Sequence, residues 1–323
     1  MKFELINIVH LLVFPGLVFS VVFGVLLAGL DRKLVARMQR RVGPPLLQPM
    51  YDFFKLIGKN SIIPRRASEK MFLLAPIIGL LCIIIIPVFI PIFGKEFLGG
   101  SADMIVILYL LTAPAIAIIL GGSASGSTYA GVGVSREMVT MLSYELPLVI
   151  IFLAVASKVG HGLGVPNSVT FSLTHVAQFQ GENGMLISNI SMIPAAIAFL
   201  LCIPAEVGTV PFDVAEAETE ICEGPLVEYS GIYLGIYKLT SYVKMFVMGA
   251  LFVSLFLSGA GFGNLPVNTI LFIILVTLVI AVSVSFVRAI MGRVKVEHTL
   301  KFFWTVPSAL ALISLILTYT TNL

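Results

Sequence analysis

Stretches of about twenty residues with little or no charge recur along the whole chain, and each is long enough to cross a bilayer as an α-helix. The stretches lack the alternation of polar and apolar residues that is typical of membrane-spanning strands. The pattern therefore predicts eight transmembrane helices. Their predicted ranges are 8–30, 71–93, 104–121, 139–157, 188–205, 230–257, 266–287 and 302–320.

Composition agrees with this pattern, because 58% of the residues are hydrophobic and only 11% are charged. The mean hydropathy of +1.05 lies far above that of soluble globular domains. We therefore expect one all-α integral membrane domain over residues 1–323, folded as a polytopic helix bundle in the cell membrane. Its surroundings are the lipid bilayer, and no nucleic acid is expected as a partner.

Basic residues are concentrated in loops on one side of the predicted spans. Fifteen of the twenty Lys and Arg residues lie in segment 31–70, at Arg136 or in segment 288–301. By the positive-inside rule, the loops that contain them face the cytoplasm. Both termini are then predicted to lie outside.

The basic segment 31–70 contains a short helical pattern. Met50, Phe53, Phe54 and Ile57 repeat at i, i+3, i+4 and i+7, which predicts a short amphipathic helix in the membrane interface. The alternative is an ordinary basic loop that is attracted to anionic lipids.

A second segment, 206–229, contains seven carboxylates and no Lys or Arg. Asp213 and Glu216 form the pattern of an N-cap with its capping-box partner, and Gly224 followed by proline is a stop signal. These signals predict one short helix over 214–223. On that helix, four carboxylates share a face: Asp213, Glu216, Glu220 and Glu223.

Two interpretations of this acidic segment stay open. It is a solvated loop, or it handles protons, because carboxylates crowded near a membrane take up protons with raised and coupled pKa values. The positive-inside trend favours the second interpretation, since an acidic cytoplasmic loop departs from it.

Three residues of the types Asp, Glu, Lys and Arg fall inside predicted spans, namely Glu145 in the fourth and Lys238 and Lys244 in the sixth. Charged groups at that depth are costly, so they usually face the protein interior and mark an ion path or a cavity. The alternative is a structural Glu–Lys pair between helices.

The sequence contains no pattern that is typical of a metal or nucleotide site. The three cysteines lie far apart, the four histidines lack metal-ligand spacing, and no Walker or dinucleotide motif is present. We therefore expect no metal, no cofactor and no catalytic redox centre in this chain. Redox energy must then come from another subunit.

Four blocks of the sequence together resemble one family, the quinone-site membrane subunit of respiratory complex I with its relatives in energy-converting membrane-bound hydrogenases and sulfur-reducing complexes. The blocks run from Asp31 to Pro76, from Ser135-Arg136 to Ser143-Tyr144-Glu145, from Pro211-Phe212-Asp213 to Glu228-Tyr229-Ser230-Gly231, and from Arg288 through Phe302-Phe303-Trp304 to Pro307. The third block is the most specific.

The resemblance implies a non-catalytic membrane subunit on which a peripheral redox arm docks and from which a chain of charged residues leads into antiporter-like subunits. The implied proton-path or coupling residues are Tyr144, Glu145, Glu206, Asp213, Glu216, Glu218, Glu220, Glu223, Glu228, Tyr229, Lys238 and Lys244. The implied arm-docking residues are Arg32, Arg37, Arg40, Arg41, Arg65, Arg66, Arg136 and Arg293.

Two departures from the family pattern change what is implied. The chain passes directly from Gly43-Pro44-Pro45 to Leu46-Leu47-Gln48-Pro49, and this short form resembles the hydrogenase-like and sulfur-reducing branch. Ferredoxin is then the implied electron donor, with partner subunits that carry Fe–S clusters and a hydrogenase-like large subunit. In addition, Ser241 stands where many members have a carboxylate. Two interpretations stay open: Ser241 interrupts the later part of the proton path, or Lys238 or Lys244 replaces the missing carboxylate.

Function is therefore expected to be the coupling of a ferredoxin-oxidising arm to proton or sodium translocation. Two alternatives remain, a quinone-binding subunit of a complex I-type oxidoreductase and an autonomous secondary transporter. The terminal electron acceptor is left open among protons, sulfur species and quinone.

Overall fold

The computed structural model describes residues 12–14, 16–92, 103–163, 169–259 and 264–321, and within these ranges the chain forms helices and no β-strand. The helices are α1 Leu17–Met38, α2 Gln48–Ile57, α3 Glu69–Phe89, α4 Asp103–Ala124, α5 Thr128–Gly162, α6 Leu173–Asn183, α7 Ile193–Val207, α8 Glu218–Ile221, α9 Gly231–Phe252, α10 Leu265–Ile280 and α11 Val296–Thr321. Two helices continue in π-helical form, α9 over Val253–Leu257 and α10 over Ala281–Phe286. The continuation of α10 ends with a further α-helical turn, Val287–Ile290.

Seven helices of the described ranges are long and apolar enough to cross a membrane, which confirms the all-α polytopic bundle. They are Glu69–Phe89, Asp103–Ala124, Thr128–Gly162, Ile190–Val207, Gly231–Leu257, Pro266–Ile290 and Val296–Thr320. They correspond to the second to eighth predicted spans. The first predicted span, 8–30, lies partly outside the described residues, and its described part belongs to α1.

Local signals explain where several helices begin and end. Proline occupies the first turn of α2, α7 and α10, where its missing N–H group leaves no hydrogen bond unmade. Gly208 ends α7 with a φ of 73°, a left-handed conformation that glycine adopts without a steric penalty. The predicted amphipathic helix is confirmed as α2, and Met50, Phe54 and Ile57 are exposed on it.

The loops at one end of the bundle hold one another through hydrogen bonds. The amide of Ile62 donates to the hydroxyl of Ser230 (2.9 Å), and the amide of Val294 donates to the carbonyl of Pro211 (3.0 Å). We call this side, formed by loops 39–68, 125–127, 208–230 and 291–295, the charged end. It unites the basic and acidic segments, as the charge pattern predicted, and its cytoplasmic orientation stays a prediction.

Helix α9 lies at the centre of the bundle. In an 18-residue apolar stretch of the span Gly231–Leu257, 89% of the residues are buried inside the protein, compared with 28% in the corresponding stretch of Val296–Thr320. Gly24 on α1 lets that helix approach the backbone of α9 at Tyr242, because a Cβ atom there would lie 2.7 Å from the Tyr242 carbonyl oxygen. Two polar residues of α9, Thr240 and Lys244, are accordingly buried.

Two elements differ from the sequence prediction. Helix α5 has 35 residues and begins at Thr128, so it extends well beyond the predicted range 139–157 at the charged end. Helix α6 was not predicted, because its polar composition resembles that of a loop. It buries Val176, Phe179 and Gln180, and the Gln180 amide donates to the carbonyls of Ser254 and Leu255 in the π-helical part of α9.

Candidate functional site

A cavity of about 270 Å³ lies inside the bundle near the charged end. Helices α1, α4, α5, α7 and α9 form its walls, together with part of the loop 208–230, which we call the acidic loop. Pro114 and Thr140 mark its α4 and α5 walls, and Gly208 marks the point where α7 ends and the acidic loop begins. The cavity therefore connects the loop to the central helices.

Carboxylate side chains and basic side chains together line this cavity. The acids are Asp31, Glu137, Glu206, Asp213 and Glu216, and the bases are Arg32, Lys238, Lys244 and Arg288. Opposite charges are thus interspersed inside a largely apolar bundle, which is the arrangement expected of an ion path or a charge-coupling site.

The deepest pair joins α7 to α9. Nζ of Lys244 lies 2.7 Å from Oε1 of Glu206, and the two side chains are 8% and 1% exposed. This is the Glu–Lys pair that the sequence left open as an alternative, but the acid is Glu206 and not Glu145. Such a pair holds both charges in the interior because each offsets the desolvation of the other.

Helix α1 contributes two adjacent charged residues, Asp31 and Arg32, which bind partners on different elements. Asp31, 1% exposed, accepts hydrogen bonds from Arg288 (2.7 Å) and from the Ser285 hydroxyl (2.8 Å). Both partners come from the C-terminal continuation of α10. The π-helical stretch that contains Ser285 therefore helps to aim donors at a buried carboxylate.

Arg32 joins α1 to α2 and α9. Its guanidinium donates to Asp52 (3.1 Å) and to the Tyr242 hydroxyl (3.0 Å). Burial alone would raise the pKa of Asp52, but hydrogen bonds from Gln48 and Arg32 and the charges of Arg32 and Lys55 lower it below its usual value. The amphipathic helix is thus tied to the cavity wall by an ionised carboxylate.

The predicted helix over 214–223 is wrong. The helix in the acidic loop, α8, covers four residues, Glu218–Ile221, and its N-cap is Ala217. Asp213 does not cap it, because both its carboxylate oxygens accept hydrogen bonds from Nε of Arg293 at 3.1 and 3.0 Å. Nη2 of Arg293 also lies 2.9 Å from Oδ2 of Asp213, and a charge-assisted contact with two donor nitrogens is stronger than an N-cap hydrogen bond.

The shared acidic face is therefore absent as well. Glu220 lies 2.6 Å from Nη1 of Arg136 on α5, whereas Glu223 is exposed. Asp213 and Glu216 alone of the four line the cavity.

Glu216 is placed so that its charge responds to its surroundings. Desolvation by the surrounding protein and the carboxylates of Glu137, Asp213 and Glu223 raise the pKa of Glu216 to about 7, against the opposing charge of Lys238. Its side chain remains accessible through the cavity space that it faces. Near neutral pH, this carboxyl group can therefore exist with or without its proton.

The structure brings five of the implied coupling residues to the cavity and places others elsewhere. The five are Glu206, Asp213, Glu216, Lys238 and Lys244. Glu145 lines a separate, mainly apolar groove of about 560 Å³ between α4 and α5. Glu220, Glu223 and Glu228 do not line the cavity, and the side chain of Glu218 lies outside the described residues.

The two implied tyrosines, Tyr144 and Tyr229, do not line the cavity. Tyr144 is buried on α5. Tyr229 stacks on Phe72 with ring centres 4.0 Å apart and donates its hydroxyl hydrogen to the Phe72 carbonyl (3.0 Å).

Sequence reasoning missed three cavity residues, Asp31, Glu137 and Arg288. All three lie just beyond or at the edge of a predicted apolar span, so they were assigned to loops. The spacing to Glu145 could have indicated Glu137. The two residues are eight positions apart, which is about two helical turns, so they lie near the same face of one helix.

The implied docking arginines fall into two groups. Arg32, Arg136 and Arg293 contact carboxylates of this chain. The other five are exposed at the charged end: Arg37, Arg40, Arg41, Arg65 and Arg66. Within the described ranges, no group of three or more His, Cys, Asp or Glu side chains could hold a metal ion.

Comparison with known proteins adds a family to this geometry. Residues 9–319 match the family described as NADH dehydrogenase. The H-type subunit of NADH-quinone oxidoreductase from Syntrophotalea carbinolica is 33% identical to this chain, over 89% of this chain and 88% of the relative. Hydrogenase-4 component C of Escherichia coli K12 is 34% identical, over 78% of this chain and 77% of the relative.

A solved structure has the same fold. It belongs to the membrane-bound sulfane sulfur reductase, an archaeal respiratory membrane complex. The TM-score is 0.85 at 27% identity, and the match covers 98% of this chain and 100% of the other.

Proposed function

The chain belongs to the NADH dehydrogenase family, as a membrane subunit of a complex I-like or hydrogenase-like complex, and we propose that it couples a peripheral redox arm to proton or sodium translocation. The observation that carries this proposal is the cavity with interspersed charges, which extends from the acidic loop to the buried Glu206–Lys244 pair. No reaction takes place on this chain itself in this proposal.

The proposed mechanism is electrostatic. Electron transfer or proton uptake at the arm changes the charge that the acidic loop experiences, and Glu216 gains or loses a proton. That change alters the electrostatic potential in the cavity and therefore the protonation or pairing of Glu206 and Lys244. In this mechanism the charge of that pair in turn acts on Glu145. Glu145 faces the lateral groove, so it passes the change to a neighbouring membrane subunit.

The partners follow from the same arrangement. The five exposed arginines at the charged end would bind the peripheral arm, with its Fe–S subunits and hydrogenase-like large subunit. Antiporter-like membrane subunits would lie beside the Glu145 groove. Ferredoxin is proposed as the electron donor, supported by the short Gly43–Pro49 segment and by the similarity to hydrogenase-4 component C and to the sulfane sulfur reductase structure.

The test of this function is gradient formation in vesicles that contain the whole complex and are driven by reduced ferredoxin. Glu216→Gln removes a titratable charge with little change of volume, so assembly should persist while ions moved per electron fall. Glu182→Gln, an exposed exchange on α6 at the opposite end, is the matched control. Normal ion movement in the Glu216→Gln complex, at matched complex content, would leave the chain as an anchor alone.

A second candidate is a quinone-binding role, which the 33% identity to a component of a NADH-quinone oxidoreductase favours. A quinone-site inhibitor that blocks the intact complex would support it. An autonomous secondary transporter is not proposed, because the similar proteins are named as components of larger complexes.

A further inference from the structure

Residues from another loop hold the acidic loop just before Glu216. Arg293, in the loop between α10 and α11, places Nε at 3.1 and 3.0 Å from the two carboxylate oxygens of Asp213 and Nη2 at 2.9 Å from one of them. The next residue, Val294, donates its amide hydrogen to the Pro211 carbonyl (3.0 Å). The loop is thus held just before Glu216.

A second arginine fastens the loop on the other side of Glu216. Nη1 of Arg136, from the first turns of α5, lies 2.6 Å from Oε2 of Glu220 and 3.4 Å from the Val214 carbonyl oxygen. Two separate elements, α5 and the loop after α10, therefore hold the short stretch that carries Glu216 against the cavity.

The rest of the loop is anchored differently, by packing. Pro225 packs against Gly133 on α5, where a Cβ atom would lie 2.5 Å from the proline Cδ, and close to Gly122 on α4, where a Cβ atom would lie 3.1 Å from the proline Cβ. Tyr229 is 4% exposed and stacks on Phe72. These contacts are buried, whereas the side chains of Arg136 and Arg293 are 24% and 35% exposed. Salt and nearby charges can therefore weaken the two arginine contacts but not the packed anchor.

We propose that Arg136 and Arg293 are positioning residues that hold the acidic loop against the cavity and so place Glu216 inside it. This inference deepens the proposed function, on which it rests. Without the arginines, Asp213, Glu216, Glu220 and Glu223 would repel one another, and the loop would extend into water. Both arginines were expected to dock the arm, but in the structure they bind acids of their own chain.

A thiol on a buried residue of the acidic loop reports whether the loop is held. Ala217 is 4% exposed, so Ala217→Cys in a Cys222→Ser background should react slowly with a water-soluble maleimide in the whole complex. Labelling should become severalfold faster with Arg136→Gln or Arg293→Gln, and also at high salt when both arginines are kept. The matched control is Lys295→Gln, an exposed cation two residues from Arg293. Equal labelling of both arginine variants and the control would overturn the proposal.

Exchanging the charges of the Arg136–Glu220 pair distinguishes loss of this contact from a general folding defect. Arg136→Glu and Glu220→Arg should each speed labelling, and the two together should restore slow labelling because the attraction is restored. A double variant that labels as fast as the single ones would show that this pair does not hold the loop.

Measuring the pKa of Glu216 distinguishes a positioning role of Arg293 from a purely electrostatic effect of its charge on Glu216. Its carboxyl band can be followed by infrared difference spectroscopy, with Glu216→Gln to assign it. Glu137 on α5, Asp213 and Glu223 in the loop, and Lys238 on α9 act on this group. Loss of the Arg293 charge alone, by Arg293→Gln, would raise the pKa further, since Asp213 is then uncompensated.

Release of the loop has the opposite sign, because Glu216 moves away from the protein walls that desolvate it and from the Glu137 carboxylate, and its pKa falls. We expect the fall, and a rise would overturn the positioning role. Labelling and titration need no electron transfer. If they behave as expected while Glu216→Gln complexes pump normally, the coupling function fails and the positioning role stands.

Discussion

At the scale of single residues, burial decides how each charge in the cavity behaves. Glu206 and Lys244 are almost fully buried, so each depends on the other for compensation. Glu216 instead faces open cavity space and has a pKa of about 7. Its raised pKa stabilises the folded chain below about pH 4.5, and this contribution is lost as pH rises from there through 7.

Removing one partner of the buried pair tests this dependence. Lys244→Met leaves Glu206 uncompensated, and we expect a loss of about 3–5 kcal/mol in the stability of the complex. Adding Glu206→Gln should recover most of the loss, since no buried charge then remains. The measurement is the thermal unfolding midpoint of the purified complex in detergent.

Lys238→Met is the control, because Lys238 is exposed to the cavity and should tolerate the same exchange with a small effect. Equal losses for Lys238→Met and Lys244→Met would contradict the account. So would a double variant that is less stable than Lys244→Met alone.

At the scale of helices and loops, close backbone approach shapes the charged end. Gly29 on α1 faces the backbone of Leu46 so closely that a Cβ atom would collide with the Leu46 carbonyl. This contact packs the loop after α1 back onto the helix. It thereby positions α2 and Asp52, the partner of Arg32.

Gly29→Ala should therefore destabilise the complex by about 1–3 kcal/mol, the usual cost of overpacking. Gly131→Ala on α5 is the matched control, since a Cβ atom there meets nothing within 4 Å. The control should be neutral or slightly stabilising, because alanine favours a helix more than glycine does. Thermal unfolding of the two variants decides the point, and equal midpoints would refute the packing argument.

The sequence predicted helices well where local signals determine them, and poorly where contacts between distant parts of the chain do. Spans were predictable because the length of an apolar run is a local property that the bilayer selects. The conformation of segment 214–223 was not predictable, because Asp213 forms hydrogen bonds with Arg293, 80 residues away in the sequence, and so does not cap a helix there. Glu137 was missed for a related reason, since α5 extends beyond the apolar run that defined its span.

At the scale of the whole molecule, charge is divided between internal contacts and an exposed surface. Two acids of the acidic loop form ion pairs, Glu220 with Arg136 and Asp213 with Arg293, and Asp52 pairs with Arg32. The exposed arginines of the basic segment have no such role in the structure described here. They stay at the charged end as the surface on which an acidic partner would dock.

Reversing two of these exposed charges tests the docking surface. Arg40→Glu with Arg41→Glu should make the peripheral arm dissociate at lower salt, because exposed charges are screened over ~8–10 Å and attraction would become repulsion. Lys295→Glu, an exposed reversal on another loop of the same end, is the control for a general change of surface charge. The measurement is arm retained on the purified membrane part as salt is increased. Retention of the arm at the same salt in both variants would mean that Arg40 and Arg41 contact lipid or solvent and do not contribute to assembly.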